Sequence, residues 1–241
     1  MFFDRIKHAR LFRPLLEEVR KQNATRAEIL KALSFNSTVA DSAWLKYKSF
    51  SPGLWAADFG LLYTLYRALG SMKPRSIAEF GLGQSSKMVH QYAGYFQADA
   101  VTYEHDAEWV KFFNEGRDGD YPVRVELLEL ETIRYKDCET VTYRGLEQAV
   151  AGKQFDFVLV DGPFGSDRYS RPEVLEIVKG HLAPRFCIIM DDTERAGERE
   201  TAQEVMNELK NRNIAFCSTT CQASKQHTII CSADLKFLTT L

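Results

Sequence analysis

The 241-residue sequence has no apolar run long enough to cross a bilayer, no Cys-x-x-Cys pair, no internal repeat and no low-complexity tract. Each absence removes a class. Without roughly 20 consecutive apolar residues there is no candidate membrane span. Met1-Phe2-Phe3-Asp4-Arg5-Ile6-Lys7 lacks a charged start followed by a long apolar stretch, so no secretory leader is expected. A formal net charge of -2 gives no bias toward nucleic acid or a membrane surface. The cysteines (138, 187, 217, 221, 231) are odd in number and form no metal-ligand spacing. Cys187, Cys217 and Cys231 lie in apolar, strand-like runs, and read as buried free thiols of a reducing, cytoplasmic protein. What is present is a chain of 45% hydrophobic residues, enough for one large domain or for one domain with a helical extension.

Residues 1–53 read as an N-terminal helical extension and 54–241 as the main domain. Leu11, Leu15, Leu16 and Val19 share a helical face, as do Ile29, Leu30 and Leu33. Thr25-Arg26-Ala27-Glu28 is a capping-box signature. Residues 34–53, with Trp44, Tyr47 and Phe50, read as a lid. After the break at Ser51-Pro52-Gly53, an apolar core helix is expected from Leu54 to Leu69, carrying Trp55, Phe59, Leu62, Tyr63 and Tyr66. From residue 76 strands and helices alternate. Strands are expected near 76–81, 100–104, 122–128, 155–161, 185–191, 213–219 and 227–232. Helices fall near 84–96, 106–116, 145–151, 171–182 and 197–211. Such alternation predicts an α/β fold, a parallel sheet with helices on both faces. Thr220–Gln226 is too short for a crossover helix, so the last two strands should pair antiparallel.

The run Ile77-Ala78-Glu79-Phe80 enters the turn Gly81-Leu82-Gly83, and Gln84-Ser85-Ser86 opens a helix. Glycines let the backbone turn and approach a ligand, and a helix start offers free N–H groups. Val101-Thr102-Tyr103-Glu104 follows as a strand ending in an acid about 20 residues later, where a carboxylate can accept from ribose hydroxyls. The pair fits a dinucleotide or another adenosine-bearing ligand. Phe155–Asp161 and Phe186–Asp192 are buried strands that deliver Asp161, Asp191 and Asp192 to the carboxyl edge of the sheet. Clustered carboxylates need something positive between them, and hard divalent cations prefer oxygen. Asp191 and Asp192 could equally cap the next helix or pair with Arg195 and Arg199.

The glycine turn, Glu104 and the closing hairpin together resemble the Rossmann-like (class I) S-adenosylmethionine-dependent methyltransferases. That resemblance implies a seven-stranded sheet with the last strand antiparallel and S-adenosylmethionine as cofactor. It places Gly81, Gly83, Ser85 and Ser86 against the methionine and ribose, Glu79 at the methionine amine, Glu104 on the ribose diol, and His105 and Asp161 beside the cofactor. The three late acids are similar to those of metal-dependent O-methyltransferases, which implies a divalent ion such as magnesium or manganese on Asp161, Asp191 and Asp192. Phe80-Gly81-Leu82-Gly83, Glu104–Trp109, Val160–Gly165 and Asp191–Arg195 together resemble the glucuronoxylan 4-O-methyltransferase type. That implies a saccharide or polysaccharide-precursor hydroxyl as acceptor. Phe164 stands where catechol-type relatives carry a lysine base, which leaves Asp161, Asp191, His105 and Asp167 as candidates. Arg168, Tyr169 and Arg171 follow in a loop and are candidates for gripping an acidic acceptor. An NAD-dependent oxidoreductase and a non-catalytic saccharide-binding protein are the competing readings. A homo-oligomer is left open.

Overall fold

A computed structural model describes the backbone of residues 2–53 and 55–241; the side chains of residues 1–13, Leu16, Arg20 and Leu54 lie outside it. The readings placed on Leu11, Leu16 and Leu54 therefore fall outside the described residues. α1 (Phe2–Val39) is one continuous helix that passes through the expected capping box. Thr25 Oγ1 donates back to Lys21 O at 3.0 Å and starts no new helix. Glu28 caps a different helix, its Oε1 accepting from Phe59 N at 2.8 Å at the head of α2 (Phe59–Met72). Ile29, Leu30 and Leu33 are exposed, whereas Phe35 and Val39 enter the core.

α2 begins later than its apolar pattern predicts, because Asp58 takes the cap position with extended backbone and accepts from Leu61 N at 2.8 Å. The same carboxylate accepts from Ser224 Oγ at 2.8 Å and Lys225 N at 2.9 Å, pinning a distant turn to this helix start. Trp55 thus lies outside the helix and is 73% exposed, not a core residue.

Among the described residues, seven strands form the main sheet: β1 (Ser76–Phe80), β2 (Asp99–Glu104), β3 (Val125–Leu127), β6 (Phe155–Val160), β7 (Leu182–Met190), β8 (Phe216–Gln222) and β9 (Gln226–Ser232). Their order is β3-β2-β1-β6-β7-β9-β8. β1, β2, β3, β6 and β7 run parallel, and β9 is antiparallel to both β7 and β8. This is the expected Rossmann-like methyltransferase sheet. α3 (Gln84–Phe96), α4 (Ala107–Gly116), α5 (Leu146–Val150), α6 (Glu173–Glu176) and α7 (Ala196–Asn211) supply its helices. The sequence reading missed a two-stranded hairpin, β4 (Leu130–Tyr135) with β5 (Cys138–Tyr143).

Alternate strand residues feed two cores, as a period of two requires. Ile77, Phe157, Leu159 and Ile189 join α2, α3 and the end of α1 on one face. Ala78, Phe80, Val158, Val160 and Ile188 join α6, α7 and Tyr143 on the other. Within the 34–53 stretch read as a lid, segment 40–53 is anchored at several points. Trp44 is buried and stacked on Tyr66 at 4.7 Å. Gln91 holds Lys46 N at 3.0 Å and Tyr47 N at 2.8 Å, and Gln84 Oε1 accepts from Ser51 N at 3.0 Å.

Asp58→Ala should cost about 2–4 kcal/mol, since a helix cap and two further bonds to a buried carboxylate vanish together; urea denaturation measures it. A second expectation concerns pH. Glu173 is buried with neither carboxylate oxygen hydrogen-bonded, and burial lifts it to about 8; burial likewise lifts Glu79 to about 7. Each holds its proton more tightly folded than unfolded. Its stabilisation is therefore full below the ordinary 4.5 and lost as pH climbs to the folded value. Buried His90 and His227, pushed down to about 4, act in the opposite sense only between there and 6.5. Stability should thus decline from about pH 6.5 to 8. Glu173→Gln should flatten that decline in urea melts at the two pH values.

Candidate cofactor and acceptor site

β1 delivers the chain to Gly81 at the carboxyl edge. Gly81 has φ +91°, and a Cβ there would lie 2.7 Å from Asp161 O and 2.9 Å from Gly162 Cα. The turn after β1 therefore packs backbone to backbone on the turn after β6, and only glycine fits. A Cβ on Gly83 would meet nothing within 4 Å, so this glycine, the N-cap of α3, faces open space. The unpaired amides of the first turn of α3 start here.

Glu104 ends β2 beside this turn. Its Oε2 accepts from Leu82 N at 2.9 Å, and its Oε1 accepts from His105 N at 2.6 Å and Asp106 N at 3.0 Å. His105 Nδ1 lies 2.7 Å from the same Oε1, so His105 belongs to the Glu104 side of the site and not to the late acids. Trp109 Nε1 donates to Leu82 O at 2.7 Å and holds the turn from outside. A carboxylate offers about four lone-pair sites, so Oε2 retains capacity for a hydroxyl donor.

Glu79 and the two serines form the frame beneath the turn. Glu79 is fully buried, and its oxygens accept from Ser85 Oγ at 2.8 Å and Thr102 Oγ1 at 2.6 Å. His90 Nε2 lies 2.8 Å from Thr102 Oγ1 and extends this network. Ser86 Oγ accepts from Gly83 N at 2.9 Å. Glu79 thus bonds Ser85 and β2, and Ser86 bonds the turn.

The second half of the site lies one strand over. Oxygens of Asp161, Asp191 and Asp192 come within 4.8 Å of one another, the convergence the sequence predicts. Asp192 has φ +61° at the end of β7, a conformation aspartate tolerates. Three cations face these acids. Arg171 Nη2 is 2.7 Å and Arg195 Nη1 3.2 Å from Asp192 Oδ2. Lys225 Nζ is 3.2 Å from Asp192 Oδ1 and 3.7 Å from Asp191 Oδ2. Burial raises Asp161 to about 6 against the opposing pull of Arg171. Burial, then Asp161 and Asp192, raise Asp191 well above the usual carboxylate range. At Asp192 burial is outweighed by Arg171, Lys225 and Arg195, and its pKa falls.

The candidate substrate grips are placed otherwise. Arg171 is buried, and besides Asp192 it donates to the carbonyls of Pro163 at 3.2 Å, Val160 at 3.4 Å and Asp191 at 3.2 Å. It clamps these strand ends from within the fold. Arg168 Nε bonds Glu200 of α7 at 2.6 Å. Tyr169 packs edge-on to Tyr135 of the β4–β5 hairpin at 5.2 Å. Of the pairings weighed for Asp192, Arg195 makes one, whereas Arg199 bonds Glu194 O. Asp167 lines a cleft of about 300 Å³ between residues 165–167 and the head of α7. Trp55 and Phe164, 73% and 70% exposed, meet edge to face at 5.7 Å beside the late acids.

Sequence reading missed Lys225 and Trp55. The tight β8–β9 turn does carry Lys225 back beside the end of β7, but only the strand order reveals it. Three clustered carboxylates are a donor set a hard divalent cation accepts, and both buried oxygens of Asp191 lack a hydrogen-bond donor. Yet two of these oxygens, Asp191 Oδ2 and Asp192 Oδ1, already face the Lys225 ammonium, which an ion on this cluster would meet at close range. The residues present do not fit a resident ion.

No family model and no curated protein matches the sequence. Solved structures similar to this chain include an SAH-bound methyltransferase of Podospora anserina, 15% identical, covering 92% of this chain and 95% of that one with a TM-score of 0.47. A Pyrococcus furiosus methyltransferase is 12% identical over 84% and 96%, at 0.45. Human methyltransferase-like protein 13 with SAH is 15% identical over 70% and 77%, at 0.45. At such identities the likeness assigns no substrate and no residue role.

The two glycines should separate by experiment. Gly81→Ala forces a Cβ into Asp161 and should lower stability by roughly 2–4 kcal/mol. Gly83→Ala touches nothing in the protein and should leave the thermal midpoint within a degree or two, while crowding whatever binds at the head of α3. Paired melting curves check both.

Proposed function

We propose that this chain is an S-adenosylmethionine-dependent O-methyltransferase whose acceptor is a hydroxyl of a saccharide or polysaccharide precursor. The observation that carries the reading is Glu104 bonded to Leu82 N beside the open Gly83, with the acid pocket in backbone contact across Gly81 and Asp161. Ribose hydroxyls would donate to Glu104 Oε2, and the carboxylate end of the methionine would face the free amides of α3. Its ammonium would have to come from outside the Glu79 network, through water or loop carbonyls. The sulfonium methyl would then point toward the Asp161 side.

In transfer, the acceptor hydroxyl gives its proton to a base while its oxygen bonds the methyl carbon. The methyl–sulfur bond breaks with its electron pair going to sulfur, and S-adenosylhomocysteine leaves. Half-buried Asp161, lifted to about 6 by burial, is the acid placed for the proton, with Asp191 behind it. Most of the rate comes from alignment of oxygen, carbon and sulfur. The saccharide reading is supported by the four short motifs and by the exposed Trp55–Phe164 pair, which offers ring faces to a sugar.

Calorimetry with S-adenosylhomocysteine should give saturable binding with a Kd of roughly micromolar order, and NAD should give none. Glu104→Ala should weaken it at least about tenfold, or about 1.4 kcal/mol. Asp161→Ala should keep the affinity within about threefold while abolishing transfer of labelled methyl to a saccharide extract. No heat at roughly millimolar S-adenosylhomocysteine would remove the reading.

A further inference from the structure

The late acids pose an electrostatic problem that has three solutions: a proton, a metal ion or a cation of the protein itself. Arg171 and Arg195 both address Asp192 Oδ2. Of the oxygens they leave, Lys225 faces Asp192 Oδ1 and Asp191 Oδ2. The ammonium is not there by accident of a long side chain. The Lys225 backbone N is bonded to Asp58, its Nζ donates to Ala56 O at 3.1 Å, and the side chain is only 12% exposed. Two separate anchors just before α2, Asp58 on the backbone N and Ala56 O on the ammonium, fix where the charge sits. An ion bound to these oxygens at about 2.0–2.6 Å would have to share their lone pairs with this ammonium and bear its repulsion.

We infer that Lys225 is the resident cation of the acceptor site, its ammonium taking the place of a divalent ion between Asp191 and Asp192. An ammonium has three donors. Ala56 O uses one, and the other two are free to turn among Asp192 Oδ1, Asp191 Oδ2 and the oxygen of an entering acceptor. The Lys225 charge then offsets negative charge growing on that oxygen as its proton leaves, the service a metal gives elsewhere. That service rests on the proposed function; the exclusion of the ion does not.

Manganese alone is the probe, followed by the electron paramagnetic resonance of the free ion with the full chain. Wild type should leave the free-ion signal unchanged into the low-millimolar range. Lys225→Met should take up one Mn2+ per chain at least tenfold more tightly than wild type, and adding Asp191→Asn should abolish the gain. Saturable uptake by wild type overturns the inference. So does a folded K225M chain, checked by circular dichroism, that gains no uptake. Should K225M not fold, Lys225→Gln replaces it. If neither folds, the wild-type titration decides alone, with uptake against the inference and none for it. S-adenosylhomocysteine calorimetry on the same samples keeps the readings apart: its failure sinks the proposed function and leaves the manganese result standing.

Discussion

The carboxyl edge of this sheet depends on one buried guanidinium. Arg171 reaches the last residue of β6 and the loop beyond it through the carbonyls of Val160 and Pro163. It reaches the residues after β7 through the Asp191 carbonyl and the Asp192 carboxylate. Two strand ends and a loop are thereby tied by a single planar group, whose several fixed donors suit this task better than a lysine would. Without it Asp192 would be a buried anion short of its main partner, and breaking such a pair is far more damaging than never having built it. The residue sits at φ +59°, a strained conformation that this many bonds can hold.

The two halves of the site solve the same problem in different ways. On the cofactor side the carboxylates are satisfied by neutral donors: backbone amides around Glu104, hydroxyls around Glu79. On the acceptor side they are balanced by charge, with Arg171, Arg195 and Lys225 against the late acids and Glu198. The first arrangement leaves a preformed, rigid cradle. The second leaves Asp191, which burial and its acidic neighbours push toward the protonated form, with no hydrogen-bond donor on either oxygen.

Most of the sheet was legible in the sequence because its strands are short apolar runs between turn signals, and the gap before the last strand is too short for anything but a hairpin. α3 and α7 could be placed for the same reason. The β4–β5 hairpin was not legible: its residues are half exposed, and their alternation is too weak to stand out from a loop. Trp55 was misread because apolar periodicity continues past the true helix start, and Asp58, three residues before the first core-facing leucine, overrides it. Of the site, the glycines, Glu104 and the three acids follow from local pattern. Lys225 and the clamp role of Arg171 do not, since both depend on partners far away in the chain. The box at Thr25–Glu28 carries a related lesson. Glu28 does serve as a cap, but the helix it serves is brought to it by tertiary packing.

The seam where Gly81 and Gly162 touch has its own consequence. A Cβ on Gly162 would stand 2.7 Å from Gly81 Cα, so no side chain cushions one turn from the other. Whatever shifts the first loop by a few tenths of an ångström must be taken up by the peptide that carries Asp161. The affinities of the two ligands are then linked, and linkage runs equally in both directions. In the proposed reaction, occupancy on one side of the seam is therefore felt on the other through the main chain rather than through a moving gate.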